Sequence, residues 1–239
     1  MSDIVNTGER ILLEKESALM IARHLSAYKF AQCYCRGKKV LDVGCGEGYG
    51  SNYLAESASS VLGLDYNQDV INYARQKYKR NNLEFRVQRI EELGSLGEKF
   101  DCICSFQVIE HIKDAGAFLD NIKRLLGPGG IFICSTPNRL DASPNSSKPH
   151  NKFHVREYLY LEFDALLEKY FGSRKIFGLK RGRKLNFYRR LKKIGICNFL
   201  PVSLDPVKKF YSCINTANFV LVEREIESAL DFIAVSRDM

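Results

Sequence analysis

From residue 39 to residue 138, short apolar runs alternate with stretches whose apolar residues recur at helical spacing. Val40-Leu41-Asp42-Val43 is the first run and ends in glycines; residues 60–65, 83–88, 100–109 and 131–135 supply four more predicted strands. Residues 49–58, 69–79 and 115–126 read as the helices between them. In the second helix Val70, Ile71, Ala74 and Tyr78 share a face, and in the third Phe118, Leu119, Ile122, Leu125 and Leu126 do so. Gly127-Pro128-Gly129-Gly130 then stops the helix and turns the chain. Ahead of this block, residues 9–32 read as a helix poised to fold over a ligand. Behind it, residues 139–151 read as a loop, 158–170 as an amphipathic helix, 175–179 as a sixth strand and 229–236 as a last one.

Strands separated by helices pair in parallel through right-handed crossovers. The expected fold is therefore α/β, an open sheet with helices on both faces. Ligands of such sheets bind beyond the carboxyl ends of the strands. This places the chemistry at residues 42–48, Asp65, residues 88–92, residues 107–111 and residues 136–138.

At 239 residues, 45% hydrophobic and 27% charged, the chain has the composition of a soluble globular protein large enough to bury its own core. It contains no apolar run of 18 residues or more, and its polar start, MSDIVNTGER, lacks a signal-peptide pattern, so a cytoplasmic protein is expected. None of the eight cysteines forms C-x-x-C. Cys102, Cys104 and Cys134 sit in apolar runs as small fillers, and free thiols are expected; Cys33 and Cys35 are the candidates for exposure. The net charge of +8 is concentrated between Arg174 and Lys193, which hold ten lysines and arginines and no acid.

The segment Asp42-Val43-Gly44-Cys45-Gly46-Glu47-Gly48 follows a strand and opens a helix. Glycines there let a ligand approach the backbone. Asp65 ends the next strand, 19 residues after Gly46, where a carboxylate can accept from both hydroxyls of a ribose. A dinucleotide fingerprint would put its third glycine at position 49, which is Tyr49. Asp42 ahead of the turn is a poor neighbour for pyrophosphate and a good one for an ammonium group. An ammonium at one end and a ribose at the other describe S-adenosylmethionine. Two plainer roles stay open, a tight turn for the glycines and a helix N-cap for Asp65.

The runs VLDVGCGEGYG, VLGLDYNQDVINYAR, FDCICSFQVIEHI and LGPGGIFICSTPN together resemble the class I S-adenosylmethionine-dependent methyltransferases over residues 39–138. Asn6-Thr7-Gly8-Glu9-Arg10 and His154-Val155-Arg156-Glu157-Tyr158 resemble a prokaryotic subgroup associated with surface-polysaccharide and glycan biosynthesis. The resemblance implies a Rossmann-like fold with a mostly parallel seven-stranded sheet and a basic helical insertion before the last strand. It divides the chain into an N-terminal helical cap (1–38), a cofactor-binding core (39–180), the basic insertion (181–227) and the last strand (228–239).

It also implies residue roles. Asp42, Gly44 and Gly46 hold the methionine end, Asp65 the ribose, and Tyr66 packs on the adenine or serves ordinary packing. Gln107 and Val108 line the wall near the methionine part. Relatives have an Asp after the third strand for the adenine amino group; Arg89 stands there here, which leaves that contact to the Ile90 backbone or to Glu91.

Methyl transfer is an in-line displacement in which the protein positions two reactants. A sugar hydroxyl benefits from a general base, and His111 and His154 are the candidates at the strand ends. Each also has a structural reading: a hydrogen bond at the junction for His111 and loop docking for His154, with Glu110 as a possible anchor of the acceptor loop. The expected activity is O-methylation of a small-molecule or glycan acceptor. The alternatives are another small molecule, such as a quinone precursor or an amine, and a non-catalytic S-adenosylmethionine-binding protein. The basic segment 174–193 interleaves cations with Phe177, Leu179, Leu185, Phe187, Tyr188 and Leu191. It suits a solvated cap helix, peripheral contact with the inner face of an anionic membrane, or RNA and sugar phosphates; no RNA-binding signature accompanies it.

Overall fold

The structure is a computed structural model that describes residues 12–195 and 205–238. The Asn6–Arg10 motif, the start of the predicted first helix and Cys197 lie outside the described residues. Helix α1 (Ala18–Cys35) begins where the Ser17 hydroxyl accepts the Met20 amide. Then come β1 (Lys39–Val43), α2 (Tyr49–Leu54), β2 (Ser60–Asp65), α3 (Gln68–Lys77), β3 (Leu83–Val87), β4 (Phe100–Phe106), α4 (Ala115–Leu125) and β5 (Leu126–Pro137). The chain continues through α5 (Arg139–Ala142), α6 (Tyr160–Glu168), β6 (Ser173–Arg181), α7 (Arg183–Ile194), α8 (Pro206–Ser212), β7 (Phe219–Val222) and β8 (Asp231–Arg237). Two 3₁₀ turns, Ile90–Leu96 and Ile109–His111, follow β3 and β4.

The described strands form one sheet of order β3-β2-β1-β4-β5-β8-β6-β7. The first five pair in parallel; β8 is antiparallel to both β5 and β6, and β7 is antiparallel to β6. This corrects the expected seven-stranded, mostly parallel sheet to eight strands of mixed direction. The additional strand, β7, lies inside the stretch expected to be a basic helical insertion. It is four residues long and sits at the sheet edge beside the charged Glu223-Arg224-Glu225, so no periodicity announces it.

The central strands are buried on both faces and divide their side chains by pleat parity. Leu41, Ile103, Phe132 and Phe232 pack on one face with Phe118 of α4 and Phe163 of α6. Val40, Cys102, Cys104, Ile133 and Ile233 pack on the other with Ala31 of α1 and Leu54 of α2. Cys35, Cys102, Cys104 and Cys134 are free and buried, whereas Cys33 is exposed. The Cys35 Sγ lies 3.6 Å from Cys102 and 3.8 Å from Cys104, a thiol cluster within the apolar layer.

Candidate active site

The carboxyl ends of β1, β4 and β5 open onto a cleft of about 380 Å³, which α1 borders with Met20, Arg23, His24 and Tyr28; Asp65, Tyr66, Ile90 and Glu91 lie outside its lining. The loop after β1 forms the floor. The Gly44 and Cys45 amides both donate to the Leu64 carbonyl of β2 at 2.8 Å, which sets the loop against the end of β2 beside Asp65. Gly44 has φ +77°, and a Cβ there would collide with Val108. Gly46, at φ +54°, faces open space, so its backbone is accessible to a ligand.

Asp42 is fully buried behind this loop rather than on its open side. Its carboxylate accepts from the Ser51 hydroxyl at 2.6 Å and from the Tyr28 hydroxyl at 3.3 Å. Burial pushes its pKa up to about 7 against the pull of those two hydrogen bonds. Asp65 is nearly buried, and its Oδ1 accepts the Asn67 amide at 2.9 Å. The N-cap of α3 is Asn67, so Asp65 shapes the turn without capping the helix. Tyr66 is exposed, Ile90 is half-buried, and the exposed Glu91 faces Arg89 across 4.0 Å. These groups fit an adenosyl amino acid: an open glycine backbone, a carboxylate at the end of β2 and an exposed aromatic ring next to it.

The other wall carries backbone strain. Gln107, just past β4, has φ +57°, a region costly for a side-chain-bearing residue and frequent at functional sites. Its amide donates to the Ser135 carbonyl, and its side-chain nitrogen to Ser135 Oγ and Asp231 Oδ1. Asp231 is also gripped by Arg23, whose Nε and Nη2 donate to its two oxygens at 2.6 and 2.7 Å. This network ties α1 to β8 across the cleft mouth. Next to it, burial pushes the His24 pKa down to about 4.

Beyond Gln107 lie Glu110, His111 and, from the loop after β5, His154; each offers a ligand atom within 4.8 Å of the others. Glu110 is fully buried. Thr136 donates to its Oε2 at 3.2 Å, and its Oε1 has no hydrogen-bond partner among the described residues. Burial pushes its pKa up to about 8, with Asp231 adding to the effect. Its backbone carbonyl accepts the Val155 and Arg156 amides, so the Glu110 main chain holds the loop that follows β5. His111 bonds through Nδ1 to the Phe153 carbonyl at 2.9 Å. His154 donates from Nδ1 to Glu157 Oε1 at 2.7 Å and accepts at Nε2 from the Asn151 side-chain amide at 3.0 Å. The two imidazoles meet edge to face, 4.9 Å apart.

The structure thus gathers Gly44, Gly46, Gln107, His111 and His154 around one cleft, with Val108 against Gly44 and Asp42 behind it. Sequence reasoning passed over Tyr28, Arg23, Glu157 and Asp231. An acid leading the apolar run 231–235, and an arginine within an apolar helix, were the available signals.

The family described as "Methyltransferase domain" matches residues 35–172. A probable S-adenosylmethionine-dependent methyltransferase of Mycolicibacterium smegmatis is 40% identical over 164 residues, covering 68% of this chain and 63% of that protein. One from Mycobacterium tuberculosis is 30% identical over 247 residues, covering 96% of this chain and 88% of that protein. A ubiquinone biosynthesis O-methyltransferase of Dinoroseobacter shibae is 38% identical over 106 residues, 44% of this chain and 43% of its own length. Among solved structures, a Thermotoga maritima S-adenosylmethionine-dependent methyltransferase, described as a possible histamine N-methyltransferase, superposes with a TM-score of 0.65 over 97% of both chains at 16% identity. That likeness speaks to the fold.

Proposed function

Given that this chain belongs to the methyltransferase-domain family and is an S-adenosylmethionine-dependent methyltransferase, we propose that it methylates a hydroxyl oxygen of a sugar or glycan intermediate. When bound, the cofactor supplies an electrophilic methyl group on a sulfonium, open to in-line displacement. Gly44 and Gly46 would hold its methionine end, with Asp42 compensating the ammonium from behind the loop. Asp65 would take the ribose hydroxyls, Tyr66 the adenine face, and Ile90 and Glu91 the adenine edge. Gln107 and Val108 would form the wall near the methionine part.

The observation that carries the oxygen acceptor is the convergence of Glu110, His111 and His154 in the cleft that the glycine loop also lines. A hydroxyl is a weak nucleophile, and a base that removes its proton in the transition state accelerates the step. His111 is anchored through Nδ1 to the Phe153 carbonyl and borders the cleft, and its imidazole is the group assigned to take the proton. Glu157 and Asn151 occupy both nitrogens of His154 and hold that ring beside His111. Asn151, with Arg156 at the loop surface, supplies donors suited to a hydroxyl-rich acceptor.

The match to a ubiquinone biosynthesis O-methyltransferase favours a second acceptor, the phenolic oxygen of a quinone precursor. Incubation with a panel of nucleotide sugars and phenolic quinone precursors, read by S-adenosylhomocysteine formation, separates the two. A higher kcat/KM for sugars supports the proposal, and turnover confined to phenols transfers it to the second reading. Calorimetric cofactor binding with no turnover of either class sinks both.

A further inference from the structure

No residue of helix α7 lines the cleft, although this helix holds much of the chain's excess charge. At 100° per residue, Arg183, Phe187, Arg190 and Ile194 stand at i, i+4, i+7 and i+11, a single line along the helix. All four are exposed, Phe187 by 57% and Ile194 by 66%. Lys184, Arg189, Lys192 and Lys193 are exposed as well, and the helix contains no acid.

The opposite side is fixed to the protein. Leu185 is buried, and the Tyr188 ring stacks on Phe210 of α8 with centroids 4.0 Å apart. Packing therefore decides which face of α7 looks outward, and that face alternates arginine with large apolar groups. A merely solvated helix gains nothing from an exposed Phe and Ile in register. Cations alternating with apolar anchors on a convex helix face are complementary to an anionic bilayer surface. Among the described residues no helix is long and apolar enough to cross a membrane, so the contact is peripheral.

The location adds a consequence. β6 runs in the same direction as β5, so its end at Arg181, just ahead of α7, lies on the edge of the sheet that carries the cleft. Arg181 reaches Asp141 at 3.4 Å, and Asp141 lies 3.9 Å from Arg23 at the cleft mouth. We infer that α7 docks the enzyme on anionic phospholipid, with Phe187 and Ile194 entering the headgroup boundary and the arginines pairing with phosphates. The inference does not depend on which acceptor is methylated.

The test is co-sedimentation of the full chain with phosphatidylcholine vesicles, with and without phosphatidylglycerol. The expected result is binding to the phosphatidylglycerol vesicles that weakens as salt rises, with partitioning at least about tenfold lower on phosphatidylcholine alone. Arg183→Glu with Arg190→Glu lowers binding by about tenfold or more, while melting temperature and cofactor affinity hold. Because the chain has no tryptophan, Phe187→Trp provides a single reporter. Its emission shifts to the blue on phosphatidylglycerol vesicles and is quenched by brominated acyl chains. The inference is overturned by failure of the wild type to sediment at low salt, by equal binding to both vesicles, by an unchanged tryptophan spectrum, or by poly(U) RNA binding more tightly than the vesicles.

Discussion

Each central strand changes character along its length. In the lower half of the sheet, Val40 and Leu41 of β1, Cys102, Ile103 and Cys104 of β4, and Phe132, Ile133 and Cys134 of β5 are buried apolar groups packed on both faces. Further along, β1 presents Asp42, the turn after β4 presents Gln107 and Glu110, and β5 presents Ser135 and Thr136. β8 runs the other way, so its acid, Asp231, comes first and Phe232, Ile233 and Ala234 follow. The lower half is what burial rewards. The upper half and the loops beside it hold groups that burial penalises: two carboxyls pushed toward neutrality, a residue at φ +57°, and oxygens of Glu110 and Glu157 with no hydrogen-bond partner among the described residues. Such penalties persist when the surrounding core over-determines the geometry, and they concentrate where chemistry is done.

That contrast can be broken from either side. His111→Ala, in the upper half, is expected to slow turnover by roughly 10²–10⁴-fold while leaving cofactor affinity intact. Single-turnover assays and calorimetry check both, and normal turnover at neutral pH removes the base. Phe132→Ala, in the lower half, deletes a ring stacked on Phe171 and should cost about 3–5 kcal/mol in denaturant unfolding, with the activity of the folded fraction preserved.

Glu110 sharpens the comparison through pH. A carboxyl raised to about 8 stabilises the fold fully below its unfolded value and loses that contribution as pH rises through 8; Asp42 acts likewise through about 7. His24, held down near 4, costs stability only as pH falls below its ordinary value of 6.5. Stability should therefore decline between pH 6.5 and 8. Glu110→Gln should flatten the decline and gain about 1–3 kcal/mol at pH 8. A parallel decline in the variant removes this account. An effect of the same size is expected from Asp65→Ala, a loss of about 1–3 kcal/mol in cofactor affinity from the missing charge-assisted hydrogen bonds. Unchanged calorimetric affinity ends the ribose role.

The parallel half was largely legible in the chain. Apolar runs placed β1 to β5, and helical spacing placed α3 and α4, because in those elements local periodicity and tertiary burial agree. The glycine loop was legible because positive φ and close approach leave few alternatives to glycine at Gly44 and Gly46. The antiparallel end was not. A rule that puts ligand groups at carboxyl ends misses Asp231, since only the direction of β8 brings its first residue to the cleft edge. β7 escaped because its apolar run, Phe219–Val222, is only four residues long and lies between polar and charged neighbours within a stretch read as a helical insertion.

Helix and strand periods, the turn chemistry of glycine and the ordering of charge are short-range properties, and they sufficed for the class of fold and the outline of the cofactor loop. The pairing of Arg23 with Asp231, the meeting of His111 with His154 and the outward face of α7 join residues far apart in the chain. Those depend on how strands are ordered and which way each one runs, and packing in three dimensions is the first level at which that order has an energy.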